Sequence, residues 1–285
     1  MSDLTDGPAH PPPDPATGDD PWAHLRRYTP ARIGLGRSGV SATTREVLAF
    51  SLAHAQARDA IHLPLNTDAL VAEVQSQGWA DVRVLRSRAG SRHEYLLRPD
   101  LGRRLNPADA EALRAPETAP DLVLVVGDGL SPLGIQRHAP ALLAALREAL
   151  DPALRLGPLV IVREARVAVG DDVGERLGAG MVAMLVGERP GLSSPDSVGI
   201  YLTHAPRVGC SDAQRNCISN VRPAGQDPVT AARRLAWLVR EGRRLGLTGV
   251  GLKDHSGLPL TGLPAPAAPS PAPSPALAPG PAADG

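Results

Sequence analysis

Asp121-Leu122-Val123-Leu124-Val125-Val126 (DLVLVV, 121–126) runs directly into Gly127-Asp128-Gly129-Leu130-Ser131-Pro132-Leu133-Gly134 (GDGLSPLG, 127–134). The first run is continuous, apolar and rich in valine, the pattern of a strand covered on both faces. The second is a glycine-rich turn, and the residues after it predict a helix over His138–Leu150. The same alternation continues downstream. Strands are expected at Leu159–Val162, Met181–Val186 and Val198–Thr203, and helices at Asp171–Leu177 and Pro228–Leu245. Strands alternating with helices imply parallel pairing through right-handed crossovers. The fold expected is α/β, an open and mostly parallel Rossmann-like sheet with a helical N-terminal extension.

That extension begins at Thr43-Thr44-Arg45-Glu46, which matches a capping box. The helix it opens runs to about Ala60, with Val47, Phe50 and His54 beside Leu48, Leu52 and Ala55 as the expected buried face. A second helix is expected over 68–77, after Asn66-Thr67 and before Gly78. Val82–Leu85 and Glu94–Leu97, separated by a turn at Gly90, are expected to form a hairpin. Asn106-Pro107 then starts a short helix to about Arg114. Residues 1–20 hold five prolines and several acids, and the 258–285 segment is rich in proline and alanine; both are expected to be disordered. The organisation expected is therefore 1–20 disordered, 21–116 a helical region with a hairpin, 117–257 the α/β domain, and 258–285 a disordered tail.

The 285 residues carry 30 basic and 30 acidic side chains, a formal net charge of zero, which argues against a general nucleic-acid binder. Lys253 is the single lysine, and the arginines are scattered rather than clustered. No apolar run approaches the ~20 residues of a membrane-spanning helix, and the N-terminus lacks the basic and apolar regions of a secretory signal. Two cysteines, Cys210 and Cys217, fit a reduced cytoplasmic protein.

GDGLSPLG lies where backbone amides at a helix N-terminus can hold phosphate. It is neither a G-x-G-x-x-G fingerprint nor a P-loop, so a plain tight turn is the preferred reading. The eight histidines and two cysteines show no metal-ligand spacing, and no G-x-S-x-G elbow occurs. Gly187-Glu188-Arg189-Pro190 follows a predicted buried strand, which puts a carboxylate and a guanidinium at its carboxyl end. There they suit either a ligand or a local ion pair. From residue chemistry alone the chain offers a binding edge and no catalytic set.

A group of motifs goes further: DPWAHLRRYTPARIGLGRSG (20–39), TREVLAFSLAHAQARDA (44–60), RPDLGRRL (98–105), VVGDGLSP (125–132), RVAVGDDVGERLGA (166–179), GERPGL (187–192) and CISN (217–220). Together they closely resemble the small subunit of ethanolamine ammonia-lyase, over about 20–250. The resemblance implies an adenosylcobalamin enzyme converting ethanolamine to acetaldehyde and ammonia. It implies a hetero-oligomer in which a large subunit binds most of the substrate and this subunit covers part of the cobalamin. It carries cofactor contacts onto Val167, Glu188 and Cys217, and no catalytic residue or metal ligand onto this chain. No D-x-H-x-x-G motif occurs, so the cobalamin is expected to keep its own base on cobalt. The implied location is cytoplasmic, with entry into a bacterial microcompartment left open. Two rival readings are a stand-alone nucleotide-binding module using GDGLSPLG and a non-enzymatic assembly protein docking through its proline-rich tails.

Overall fold

The computed structural model describes residues 22–29 and 31–257. The two tails expected to be disordered, 1–20 and 258–285, lie outside the described residues. A two-residue hairpin, β1 (Arg37–Ser38) and β2 (Ser41–Ala42), precedes helices α1 (Thr44–His62) and α2 (Thr67–Ser76). Then follow β3 (Val82–Arg86), α3 (Arg92–Leu97), α4 (Pro107–Ala112), β4 (Leu122–Gly127), α5 (Pro132–Ala149), β5 (Leu159–Arg163) and α6 (Val169–Arg176). Next come β6 (Met181–Gly187), β7 (Val198–His204), β8 (Arg215–Val221) and α7 (Pro228–Leu245).

Six strands form one sheet in the order β3-β5-β4-β6-β7-β8. The first four are parallel; β7 pairs antiparallel with β6, and β8 antiparallel with β7, so β7 alone is reversed. The sheet is thus mostly parallel and open, as expected. The direction of Val198–His204 differs from the expectation because only the short Glu188–Ser197 segment links it to β6. A parallel return needs a crossover of about a dozen residues or more.

Successive residues of β4 serve opposite layers. Leu122, Leu124 and Val126 pack with Ile135, Leu142 and Leu146 of α5 and with Leu235 and Leu238 of α7. Val123 and Val125 pack with Val169 and Val173 of α6 on the other face. Burying each such Leu or Val stabilises the fold by ~1.5–3 kcal/mol. Since α5 and α6 leave on opposite faces from adjacent strands, a crevice opens between the carboxyl ends of β4 and β5, where ligands of open α/β sheets collect.

Helix ends follow their caps. Asp227 Oδ1 accepts from Thr230 N at 3.0 Å, Pro228 fills the first turn, and Gly246 closes α7 at φ +67°. Helix α5 starts at Pro132, earlier than the expected His138, because the Ser131 hydroxyl caps it by accepting from Gly134 N at 3.1 Å.

Three further expectations are corrected. The hairpin does not form: Val82–Arg86 pairs in parallel with β5 at the sheet edge, and Arg92–Leu97 is helical. Ser91 Oγ accepts from Glu94 N at 3.2 Å, and Glu94 Oε2 accepts from Gly90 N at 2.7 Å. This is a serine–glutamate cap that the apolar Tyr95-Leu96-Leu97 run concealed. Helix α1 forms with the expected Thr43 cap, but its apolar face is not buried. Val47, Leu48, Phe50 and Leu52 are 51, 64, 48 and 60% exposed, and the helix buries only Ala53 and Ala60. Finally, Cys217 lies in strand β8, a strand that the sequence pattern did not predict. Among the described residues no helix is long and apolar enough to cross a membrane.

Candidate cofactor cleft

The carboxyl ends of β4, β5 and β6 are tied into one surface. Leu130 N donates to Gly187 O at 2.9 Å. Gly129 sits at φ +61°, and a side chain there would collide with the Gly187 backbone; one at Gly187 would collide with the Ser131 carbonyl. The floor at this point is main chain against main chain. The Leu130 and Gly134 amides are both spent on internal bonds, so neither of these two is left for a phosphate.

Asp128 fixes the neighbouring loop. Its Oδ2 accepts from Glu164 N and its Oδ1 from Ala165 N, both at 2.9 Å. These bonds hold Glu164 in the left-handed region at φ +55°, a conformation that costs a side-chain-bearing residue ~1–3 kcal/mol. Burial, reinforced by the Glu164 charge, pushes the Asp128 carboxyl up to about 6 against the pull of those amides and of Arg92. Arg92 spans the rim. It donates to Ile61 O and Gly129 O at 2.7 Å each and to Leu130 O at 3.2 Å, and pairs with Glu164 at 3.3 Å. Tyr95, fully buried, donates its hydroxyl to Ala165 O at 3.0 Å. Desolvation raises that phenol, so it remains a donor.

Above this floor is a cleft of about 440 Å³ lined by Tyr95, Leu130, Arg166, Val167, Val186, Glu188, Arg189 and Tyr201. Two of the three residues singled out from sequence, Val167 and Glu188, line it together. Val167 is in the turn between β5 and α6, and Glu188 directly follows β6. Glu188 lies across Gly199, where an added Cβ would come 3.0 Å from Oε1, and its Oε2 accepts from Asn220 N at 3.0 Å. That bond, not an ion pair with Arg189, is how its carboxylate is held. Cys217 is outside the lining but in register opposite Tyr201. It is an exposed position of β8, yet the protein around its thiol desolvates it enough to raise its pKa, with Glu188 adding to the rise. Tyr201 is raised too, first by desolvation and then by Cys217.

Asp128, Arg92, Tyr95, Arg166 and Tyr201 were not singled out from sequence. Only Asp128 had a local signal, as the acid between two glycines at a strand end. A larger hollow of about 1100 Å³ runs along α5 and α7. Several of its arginines are paired, Arg234 with Asp254, Arg240 with Glu241 and Arg243 with Asp121, so it offers less unsatisfied chemistry than the cleft. Among the described residues no group of three or more His, Cys, Asp or Glu could hold a metal ion.

Comparison with known proteins places this geometry in a lineage. The sequence model of ethanolamine ammonia-lyase light chain (EutC) matches residues 19–253. The chain is 53% identical over 252 residues to the ethanolamine ammonia-lyase small subunit of Ralstonia nicotianae, covering 86% of this chain and 93% of that one. It is 54% identical over 247 residues to that of Azotobacter vinelandii, covering 85% and 91%. With the small subunit of Rhodopseudomonas palustris the identity is 52% over 234 residues, covering 81% and 89%. A match that spans the whole α/β sheet, its cleft and the N-terminal helices means that this chain belongs to the ethanolamine ammonia-lyase light chain family.

Proposed function

We propose that the chain is the small subunit of an adenosylcobalamin-dependent ethanolamine ammonia-lyase, active only with a large subunit, and that its cleft covers part of the cofactor where the two subunits meet. The observation that carries the reading is the convergence of Val167 and Glu188 on one cleft, with Cys217 beside it across Tyr201, in a chain of this family. The lining suits a corrinoid, which has a broad apolar face fringed with amides. Val167, Val186 and Leu130 supply apolar wall, the Glu188 carboxylate can accept amide hydrogens, and the Tyr201 hydroxyl can donate. Arg166 adds a guanidinium that makes no hydrogen bond among the described residues, with its Nε buried and its terminal nitrogens left for a ligand. The chemistry a bound adenosylcobalamin supplies is homolysis of its cobalt–carbon bond, the source of the radical that takes hydrogen from ethanolamine. This chain's own residues bind, orient and shield, consistent with its lack of an acid–base or nucleophile set.

We assign the large-subunit contact to the exposed apolar face of α1. Its C-terminal end is fastened to the cleft rim through Arg92 and Ile61 O, so one partner can cover helix face and cleft together. Exposed contiguous apolar surface of this kind marks interaction sites.

The test is Glu188→Ala in the reconstituted two-subunit complex. Losing a hydrogen bond to a charged group costs ~1.5–3 kcal/mol, so cobalamin affinity should drop roughly 10- to 150-fold. Glu188→Gln, which keeps an acceptor oxygen, should lose less. Unchanged affinity with a lowered melting temperature would leave Glu188 a purely structural residue bonded to Asn220, and would remove the cofactor role.

A further inference from the structure

Arg166 differs from its neighbours. Arg92, Arg104, Arg176 and Arg215 each pair with a carboxylate. The Arg166 guanidinium forms no hydrogen bond or ion pair among the described residues, and its buried Nε lacks any partner. Its position is nevertheless tightly set. Its backbone N donates to Gly102 O at 2.8 Å, and its guanidinium carbon stands 4.4 Å from the centroid of the Tyr95 ring. Gly102 is a glycine beside it for a reason: an added Cβ would come 2.8 Å from Arg166 Cγ and 3.0 Å from the Tyr95 ring. Tyr95 is itself anchored through Ala165 O. The fold thus holds an arginine in place, half-buried in the cleft wall, with its Nε covered by the protein and its two terminal Nη groups unbonded among the described residues.

A planar guanidinium with a free edge is shaped for a two-oxygen anion, which it grips through parallel N–H bonds. Desolvating such a group without a counter-charge is costly, so the arrangement is best explained by an anion that arrives with the ligand. The two carboxylates nearest Tyr95 are engaged elsewhere, and Glu188, in the same lining, is held through Oε2 by Asn220 N. Glu164 faces Arg92, and both oxygens of Asp128 hold backbone amides. A cobalamin carries several neutral amide arms and one anionic group, the phosphodiester of its nucleotide loop.

We propose that Arg166, stacked on Tyr95, is the anchor for the phosphodiester of the cobalamin nucleotide loop. This rests on the reading of the cleft as a cobalamin site, and it commits the cleft to the nucleotide-loop side of the cofactor. The experiment uses the complete two-subunit complex, wild type, Arg166→Gln and Arg166→Lys, with binding followed by equilibrium dialysis and folding by a melting curve. Three probes separate the chemistry: cobalamin; cobinamide, which lacks phosphate, ribose and base; and cobinamide phosphate, which regains the phosphate alone. Arg166→Gln should weaken cobalamin and cobinamide phosphate by about 10- to 100-fold and leave cobinamide unchanged. Arg166→Lys, a point charge without the fork, should fall between. Adenosine monophosphate, as a free phosphate source, should compete with cobalamin only weakly in the wild type. Equal loss for cobinamide, no loss for cobalamin, a loss confined to cobalamin, or tighter binding of adenosine monophosphate than of cobalamin would each overturn the assignment. If the wild-type complex binds no corrinoid at all, the failure belongs to the cobalamin reading itself.

Discussion

Replacing Asp128 by Asn tests whether the loop bearing Arg166 and Val167 is held by a buried charge. In the folded chain this carboxyl is raised from 3.8 to about 6 by burial and by Glu164. Between about pH 4 and pH 6 the folded state therefore binds more protons than the unfolded state, and stability falls as pH rises through that window. A shift of about two units at 1.36 kcal/mol each makes the loss about 3 kcal/mol by pH 7. Asn cannot titrate. It keeps one acceptor for the Glu164 or Ala165 amide and leaves the other facing an NH2 group, at a cost of ~1–3 kcal/mol that does not vary with pH. The measurement is urea unfolding of both proteins at half-unit steps from pH 4 to pH 7. The difference between the two curves cancels the titrating groups that are not coupled to Asp128. It should move by about 3 kcal/mol in favour of Asp128→Asn as pH rises, leaving the variant near wild-type stability at pH 7. Two parallel curves would refute the reasoning, because Asp128 would then titrate alike in folded and unfolded chain.

Three further outcomes follow from the packing. Arg215 donates to both oxygens of Asp171 at 2.6 and 2.7 Å in a buried pair; Arg215→Ala should lower unfolding free energy by ~3–5 kcal/mol, and Arg215→Met with Asp171→Leu should recover much of it. Gly129→Ala should destabilise more than Gly39→Ala in thermal melts, since both have φ near +60° but only Gly129 has backbone in the way of a Cβ. Leu48→Asp with Phe50→Asp should leave the melting temperature of the isolated chain within a few degrees and abolish copurification with the large subunit; retained copurification would exclude α1 as the contact.

The central strands were legible because a strand buried on both faces must be apolar throughout, and β4, β5 and β6 are. Strand β8 was not, because its sequence RNCISNV is mostly polar. Its inward Arg215 is satisfied by Asp171, a partner 44 positions away that no local pattern reveals. Helix α3 was lost for the opposite reason: three apolar residues outweighed the serine–glutamate cap in front of them. Periodicity correctly found α1 as a helix but wrongly assigned its apolar stripe to this chain's core, since periodicity registers burial without saying against what. At the cleft, Val167 and Glu188 came from the family resemblance. Tyr95 of α3, Arg166 after β5 and Tyr201 of β7 line one cleft only because the sheet brings those three elements to it, which is a matter of topology and not of spacing.

The crossing of Gly129 and Gly187 limits how this cleft can evolve. Where two backbones touch, no side chain projects that drift or an engineer could exchange, so that part of the floor has a fixed chemical alphabet of peptide groups. Any change of ligand preference must be written in the walls, at positions such as Arg166, Glu188 and Tyr201, while the surface beneath stays the same from one variant to the next.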